Sequence, residues 1–580
     1  MTMFDHRFAG ADEENRGQMY YDAVKERFAY ERDIRLHYRP EGTDQYFSDF
    51  EGEMLKYGSD PFSRDRVARD PIVRDVEVLV IGAGFSALLV SARLRQAGVE
   101  SIQLVERAAD VGGTWYWNRY PGVACDVPSY DYLPLLDELD YVPTKHYAEG
   151  DEIFQHCRKI AEKYDLYKLA IFQTTVVSTS WHDGDRRWHV TTDRHDTLRA
   201  RFVICANGTS CKPKLTRIEG METFAGVSFH TSRWDYEYTG RDLERLADKT
   251  VGIIGTGATA VQAVPNLAKA VRELYVFQRT PSSIDIREDW PTDPNWARKL
   301  PPGWQSERRA AAIERSIAAA ERKKSRPPMD AAERIRQQEN QNIDYMMRIH
   351  RRIEEIVKDP ATAEALKPWY MFMCKRPCFH NDYLASFNLP NVHLVDTAGR
   401  GITRIGPSGP EFEGKTYPLD LLIYATGFEV LKTGIYNEIR GMDGVELQEK
   451  YADGVRTLFG VHTQGFPNFF VMGGQQASFE FNLTQILQTE GDHIAYCIAY
   501  ARDHNYESLD VTTDSEEWWV REVIAHRGKT NREQECTPGY YNLEGQNYRR
   551  QDGNYNGGFA AYYTHIQNVE RDMEKHFNHQ

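Results

Sequence analysis

The chain has 580 residues, 41% of them hydrophobic and 12% aromatic, enough for several buried cores and too long for one, so roughly three or four domain-sized units are expected. A formal net charge of −15 gives a nucleic-acid-binding role no electrostatic support. Asp5, His6 and Arg7 lead into an acidic run with no apolar signal core, and the most apolar stretch, Val78 to Val90, is too short to span a bilayer, so a cytoplasmic chain without a membrane partner is expected.

Residues 1–74 are polar and tyrosine-rich and read as an N-terminal extension packed on the main body. A first nucleotide-binding unit follows over 75–215. It opens on Val78-Leu-Val-Ile-Gly82-Ala-Gly84-Phe-Ser-Ala87 and reaches Glu106; Val203 to Gly208 reads as a further buried strand ending in a turn. A β-branched strand running into a Gly-x-Gly turn and a small-residue helix start can seat a pyrophosphate on bare backbone N–H groups. Glu106, at the end of the second strand, would accept hydrogen bonds from ribose hydroxyls and repel a 2′-phosphate. The first site therefore suits FAD or NAD.

A second unit over 216–400 repeats the grammar as Val251-Gly-Ile-Ile-Gly255-Thr-Gly257-Ala-Thr-Ala260 and ends on Arg279. In each copy 22 positions separate the second glycine from the terminal charge (84 to 106, 257 to 279). Arg279 invites the 2′-phosphate, so the second site suits NADP(H). Two different dinucleotides on one chain imply redox chemistry.

Beyond Pro281 the periodicity becomes helical: Ala310, Ile313, Ile317 and Ala320, then Met346, Ile349, Ile353 and Ile356. Pro327-Pro328 separates the two helices and Asp330 to Glu333 reads as a capping start. This is a helical insertion at about 283–372. Leu419 to Phe428 reads as a buried strand returning to the first unit, which 401–580 would complete together with a region covering substrate and cofactor. The fold class is α/β: two Rossmann-like dinucleotide-binding domains, three-layered around parallel central sheets, with the insertion in the second and the extension in front. The eight cysteines show no framework spacing; Cys374, Cys378 and His380 form one cluster, which reads as incidental, and no metal site is expected.

Between the fingerprints lies Phe224-Ala-Gly226-Val-Ser-Phe-His230-Thr-Ser-Arg-Trp234-Asp235. It resembles the Phe-x-Gly-x-x-x-His-x-x-x-Trp-(Pro or Asp) signature of Baeyer–Villiger monooxygenases, with Asp235 as the variant ending. Gly112 to Gly122 and Ala425 to Phe428 are similar to that family's secondary signatures, and the likeness runs over about residues 76–560. The extension, with Cys536 to Asn542 and Tyr555 to Gly558, resembles the branch acting on large cyclic or steroid-like ketones. One departure is Asn207-Gly208, where Thr-Gly is common.

The resemblance implies that NADPH reduces FAD, O₂ adds to the reduced flavin, and the flavin peroxide inserts one oxygen beside a ketone carbonyl, giving an ester or lactone. Negative charge in that chemistry needs a fixed cation in a dry site. The family's catalytic arginine corresponds to Arg376, and its acidic partner to Asp126. For FAD, Gly82, Gly84, Glu106, Thr114, Trp115, Tyr116, Trp117, Asp126, Tyr132 and Val176 match contact positions; Tyr116 and Trp117 read equally well as plain core. For NADPH the matches are Ala124, Cys125, Asp126, Gly255, Thr256, Gly257, Ala258, Thr259, Ala260, Val261, Arg279, Thr280, Lys375 and Arg376.

Three rivals stand beside this reading. A heteroatom (N- or S-) oxygenating flavoprotein shares both fingerprints, but Trp234-Asp235 argues against it. A disulfide reductase needs a dithiol by the flavin, and only Cys125 lies near the first fingerprint. The third is a nucleotide sensor without catalysis.

Overall fold

A computed structural model of the protein describes residues 13–38, 46–47, 50–63, 65–210, 212–325, 329–429, 438–527, 536–537, 539, 541 and 549–580. In chain order the elements that frame the site begin with α1 (Glu13–His37), β1 (Val73–Ile81), α2 (Phe85–Gln96), β2 (Ile102–Val105), α3 (Thr114–Trp117) and β3 (Ala170–Ile171). Next come β4 (Val176–His182), β5 (Arg187–Thr192), β6 (Thr197–Cys205), β7 (Val227–His230), β8 (Thr250–Ile254), α4 (Ala258–Ala270) and β9 (Glu273–Gln278). Two long helices, α5 (Trp304–Lys324) and α6 (Ala331–Ile356), precede β10 (Val392–Asp396) and β11 (Leu421–Tyr424). The chain closes with β12 (Glu438–Arg440), β13 (Phe469–Val471), α7 (Leu483–Asp503) and α8 (Phe559–Glu570).

Two sheets carry the two fingerprints. The first runs β12-β4-β5-β6-β1-β2-β3, and β13 pairs with the far end of β6. Strands β1, β2, β3, β6 and β13 are mutually parallel, while β4-β5-β6 is an antiparallel meander added at one side. The second sheet, β10-β9-β8-β11-β7, is parallel throughout. Val78, Leu79 and Val80 in β1 and Val251 and Ile253 in β8 are fully buried, as expected for strands covered on both faces.

One strand goes elsewhere than the sequence suggests. The apolar run Leu419 to Phe428 reads as rejoining the first unit, yet β11 pairs with β7 and β8 inside the second sheet. The first sheet is rejoined by β13, in register with Val203 to Cys205. A short apolar run has the same pattern in either sheet; the partner is chosen by its neighbours.

The insertion forms as expected. Asp330 caps α6 by accepting from the N–H groups of Ala332 and Glu333, and Met346, Ile349 and Ile353 are fully buried. Pro327 and Pro328 lie outside the described residues. The extension packs on the main body: Val24 and Phe28 of α1 share a core with Ile343, Met346, Trp369, Tyr370 and Met371, and Arg35 donates to the Trp369 carbonyl (3.3 Å). Among the described residues no helix is long and apolar enough to cross a membrane.

Candidate active site

The two glycine turns are built alike. Gly82 and Gly255 have φ of +113° and +114°, a region that L side chains rarely adopt. A Cβ on Gly82 would stand 2.6 Å from the Ala206 carbonyl oxygen, and one on Gly255 would collide with that of Ala425. Each turn thus lies against the end of the next parallel strand, β6 or β11. Gly84 and Gly257 then cap α2 and α4 without a side-chain acceptor, and neither helix has an acidic residue in its first turn. Their leading N–H groups suit an anion.

In the first unit, Glu106 is buried, its two carboxylate oxygens each 2.7 Å from an N–H group, of Ala83 and Ala108. Burial pushes its carboxyl up and these N–H groups oppose the shift. The Arg107 N–H also faces this carboxyl, and the acceptor capacity left over can take a ribose hydroxyl. Gly113 comes so close to Gly84 that a Cβ on it would sit 2.8 Å from the Gly84 Cα, leaving two bare backbones face to face. Trp115, Tyr116 and Trp117 are buried and Thr114 is exposed. Trp115 Nε1 donates to the Tyr132 hydroxyl (3.0 Å), while Val176 packs apart from them, with Ile81 and Val105. The glycine cradle and buried carboxylate fit a dinucleotide lacking a 2′-phosphate.

In the second unit, Thr256 Oγ1 donates to the Thr280 carbonyl (2.7 Å) and Ser282 Oγ to the Thr256 carbonyl (2.5 Å), tying the turn to the end of β9. Half-buried Arg279 stands at that strand end, its Cδ within 3.5 Å of a Cβ on Gly401. Beyond Gly257 the space is open, with nothing within 4 Å of a Cβ. Ala258, Thr259, Ala260 and Val261 form the first turn of α4.

Arg376 and Asp126 meet where the two units face each other. Arg376 Nη2 lies 2.8 and 3.0 Å from the two Asp126 oxygens, and Nε lies 3.1 Å from one of them. The Asp126 loop is held against the second unit: Gln262 of α4 donates to the Ala124 carbonyl (2.9 Å) and Arg287 to the Cys125 carbonyl (2.8 Å). The Arg376 segment docks beside β9, since the Cys378 N–H donates to the Ser283 carbonyl (2.9 Å). Half-buried Lys375 precedes it. Burial, then the nearby Asp126 charge, pushes the Cys125 thiol up to about 12, so it stays protonated.

The linker signature shapes this seam. Gly226 admits the Phe224 ring, Trp234 is fully buried with Nε1 donating to Thr239 (3.1 Å), and Asp235 caps a short helix. His230 is fully buried, with Nδ1 2.8 Å from Ser232 Oγ; burial, then Arg233, lowers its pKa to about 3. Sequence reasoning passed over Arg233, an unspecified position of the signature. Its guanidinium lies 4.0 Å from the Trp117 ring centroid, joining the linker to the aromatic motif. It also passed over Asp60, which accepts from the Tyr116 hydroxyl (2.6 Å). Nothing in the spacing marks either residue.

The cysteines give a second correction. Cys374, two residues before Arg376, forms a disulfide with Cys536 across 162 positions, a pairing that no local spacing encodes. Cys378 is free and buried, and His380 Nδ1 accepts from the Asp382 and Tyr383 N–H groups, so that cluster is engaged elsewhere. Pro538, Tyr540 and Asn542 of the Cys536 to Asn542 motif lie outside the described residues.

Residues 79–343 match the family described as pyridine nucleotide-disulphide oxidoreductase. A Baeyer–Villiger monooxygenase of Streptomyces coelicolor is 42% identical over 569 residues, covering 93% of this chain and 94% of that protein. The chain belongs to the Baeyer–Villiger monooxygenases. Among solved structures, the polycyclic ketone monooxygenase of the thermophilic fungus Thermothelomyces thermophila matches with a TM-score of 0.88 at 34% identity, over 97% of this chain and 99% of that one. The complex of OTEMO with FAD and NADP matches with a TM-score of 0.73 at 27% identity, over 88% of this chain and 100% of that one. As a Baeyer–Villiger monooxygenase, this protein is a flavin-dependent oxidoreductase that takes FAD and NADPH and acts with O₂ on a small-molecule ketone.

Proposed function

We propose that this Baeyer–Villiger monooxygenase oxidises bulky or polycyclic ketones to esters or lactones, with Arg376 as its fixed cation and Asp126 as the group that aims it. The observation that carries the reading is the two-armed Arg376–Asp126 pair, whose Asp126 loop is held against the second unit by Gln262 and Arg287. When bound, NADPH supplies a hydride equivalent and FAD the oxygen-activating chemistry. The Gly82–Gly84 turn and Glu106 would hold FAD, and the Gly255–Gly257 turn with Arg279 would hold NADPH.

Arginine keeps its protons at any working pH, so Arg376 offers a permanent positive charge where negative charge develops on the ketone oxygen. Asp126 fixes the plane of that guanidinium by spanning two of its nitrogens. The helical insertion and α1 together back the segment from Trp369 to Cys374, which leads directly into Lys375 and Arg376. The extension thus serves as a buttress behind the cation. The boundaries proposed for the units are a first domain over 75–215, a second from 216 that includes β11, and a first-domain remainder beyond it.

Support for a bulky ketone comes from the likeness to a polycyclic ketone monooxygenase over nearly the whole chain. The test is NADPH oxidation with paired product mass for a polycyclic ketone, cyclohexanone, a thioether and a tertiary amine. The polycyclic ketone should gain one oxygen with the highest kcat/KM. Oxygen gain confined to the thioether and amine would overturn the assignment.

A further inference from the structure

A buried cluster far along the chain lies outside the machinery described above. The turn Leu458–His462 closes on itself through paired backbone hydrogen bonds (2.8 and 3.1 Å) and brings His462 against α7. On α7, His493 and Cys497 are four positions apart and share one face. His493 and Cys497 are fully buried and His462 nearly so. His462 Nε2 lies 3.0 Å from His493 Nε2, Cys497 Sγ lies 3.7 Å from the same nitrogen, and all three donor atoms fall within 4.8 Å of one another. From α8, Glu570 Oε1 stands 2.9 Å from His493 Nδ1. Phe470 and Phe577 pack against His462, and the buried Glu490 carboxyl faces His493 as well.

A carboxylate on Nδ1 takes the Nδ1–H and leaves the Nε2 lone pair of His493 pointing at its two neighbours. That carboxylate–imidazole arrangement is how proteins orient a metal-bound histidine. In a tetrahedral zinc site, bond lengths of about 2.0 Å to nitrogen and about 2.3 Å to sulfur put two nitrogens about 3.3 Å apart and nitrogen and sulfur about 3.6 Å apart. The two separations from His493, 3.0 and 3.7 Å, lie near those values, and His462 Nε2 and Cys497 Sγ, within 4.8 Å, would close toward each other on binding.

We propose that His462, His493 and Cys497 bind a Zn²⁺ ion, with a water in the fourth position. Two imidazoles and a thiolate form a borderline-soft set that suits zinc. On binding, the Cys497 thiol loses its proton to solvent; thiolate and Glu570 together then balance the ion's two positive charges. The ion would fasten the 458–462 turn to α7, whose Gly491 lies against Val90 of α2, the helix of the first fingerprint.

Because the ligands are buried, metal would enter as the chain folds. Full-length protein is therefore made in zinc-supplemented medium, passed through chelator-containing buffer and assayed for metal by mass spectrometry. Wild type should retain about one zinc per chain, and Cys497→Ala and His462→Gln well under half of that. Zinc-edge X-ray absorption of the wild type, which needs no variant to fold, should show one sulfur among nitrogen and oxygen neighbours. Wild-type zinc below about a tenth per chain, equal zinc in the variants, or a shell without sulfur would each overturn the proposal.

Discussion

Arg376 grips both carboxylate oxygens of Asp126 across 250 positions of sequence, through two of its guanidinium nitrogens. The pair joins a loop of the first unit to a loop of the second through charge, as Lys145 and Asp289 do nearby (3.3 Å). Asp126 belongs to the first unit and Arg376 to the second, so the cation is positioned by the packing of the two units rather than by either alone.

Arg376→Ala should keep its FAD, since the first glycine cradle is built from Gly82, Gly84 and Gly113, yet lose ester formation by roughly 10²- to 10³-fold. Asp126→Ala should lose less, because the cation survives without its aim. Stopped-flow kinetics that separate flavin reduction from product formation check this; product at the wild-type rate from Arg376→Ala would remove it from the chemistry.

The proposed site gives Arg279 the choice of nicotinamide cofactor. Arg279→Ala should raise the KM for NADPH roughly tenfold to a hundredfold and leave NADH nearly unchanged, as one charge-assisted contact to the 2′-phosphate disappears. Equal loss with both nucleotides in steady-state assays would displace the second site.

Glycines in equivalent turns should differ sharply. Gly82→Ala would place a Cβ 2.6 Å from a backbone carbonyl at φ +113°, so flavin-depleted, destabilised protein is expected. Gly257→Ala meets nothing within 4 Å at φ −77°, so its melting point should shift by no more than about 1 kcal/mol allows, with full flavin content and weakened NADPH binding. Absorbance ratios and thermal melts decide.

The Cys374–Cys536 disulfide closes a long loop onto the segment leading to Arg376. Cys536→Ser should destabilise the fold by roughly 2–4 kcal/mol if the cross-link restricts the unfolded chain in the usual way. Peptide mapping without reductant should first show the linked pair; two alkylated free thiols would refute it.

Buried His230 makes stability acid-sensitive. Its pKa of about 3 lies below the ordinary 6.5, so its contribution is complete above about pH 6.5 and is lost as pH falls toward 3, at about 1.4 kcal/mol per pH unit. His230→Gln should flatten the stability profile between about pH 6 and pH 4 in denaturant titrations. An unchanged slope would mean that the imidazole is not held neutral.

The two glycine turns were legible in the sequence, as was the charge that ends each motif. Gly82, Gly84, Gly255 and Gly257 are required by local backbone geometry, and Glu106 and Arg279 close each motif at a fixed distance set by strand and helix lengths. The capping start at Asp330 and the buried stripe of α6 were legible for the same reason, because helix periodicity is local. Pairings between distant segments emerged only in the folded chain. The strand at Leu421–Tyr424 joined the second sheet rather than the first, Cys374 found Cys536, Arg233 settled over Trp117, and two histidines met a cysteine in the C-terminal core. Each depends on which surfaces are brought together when separately folded elements bury their apolar faces, and no spacing along one stretch of chain records that choice.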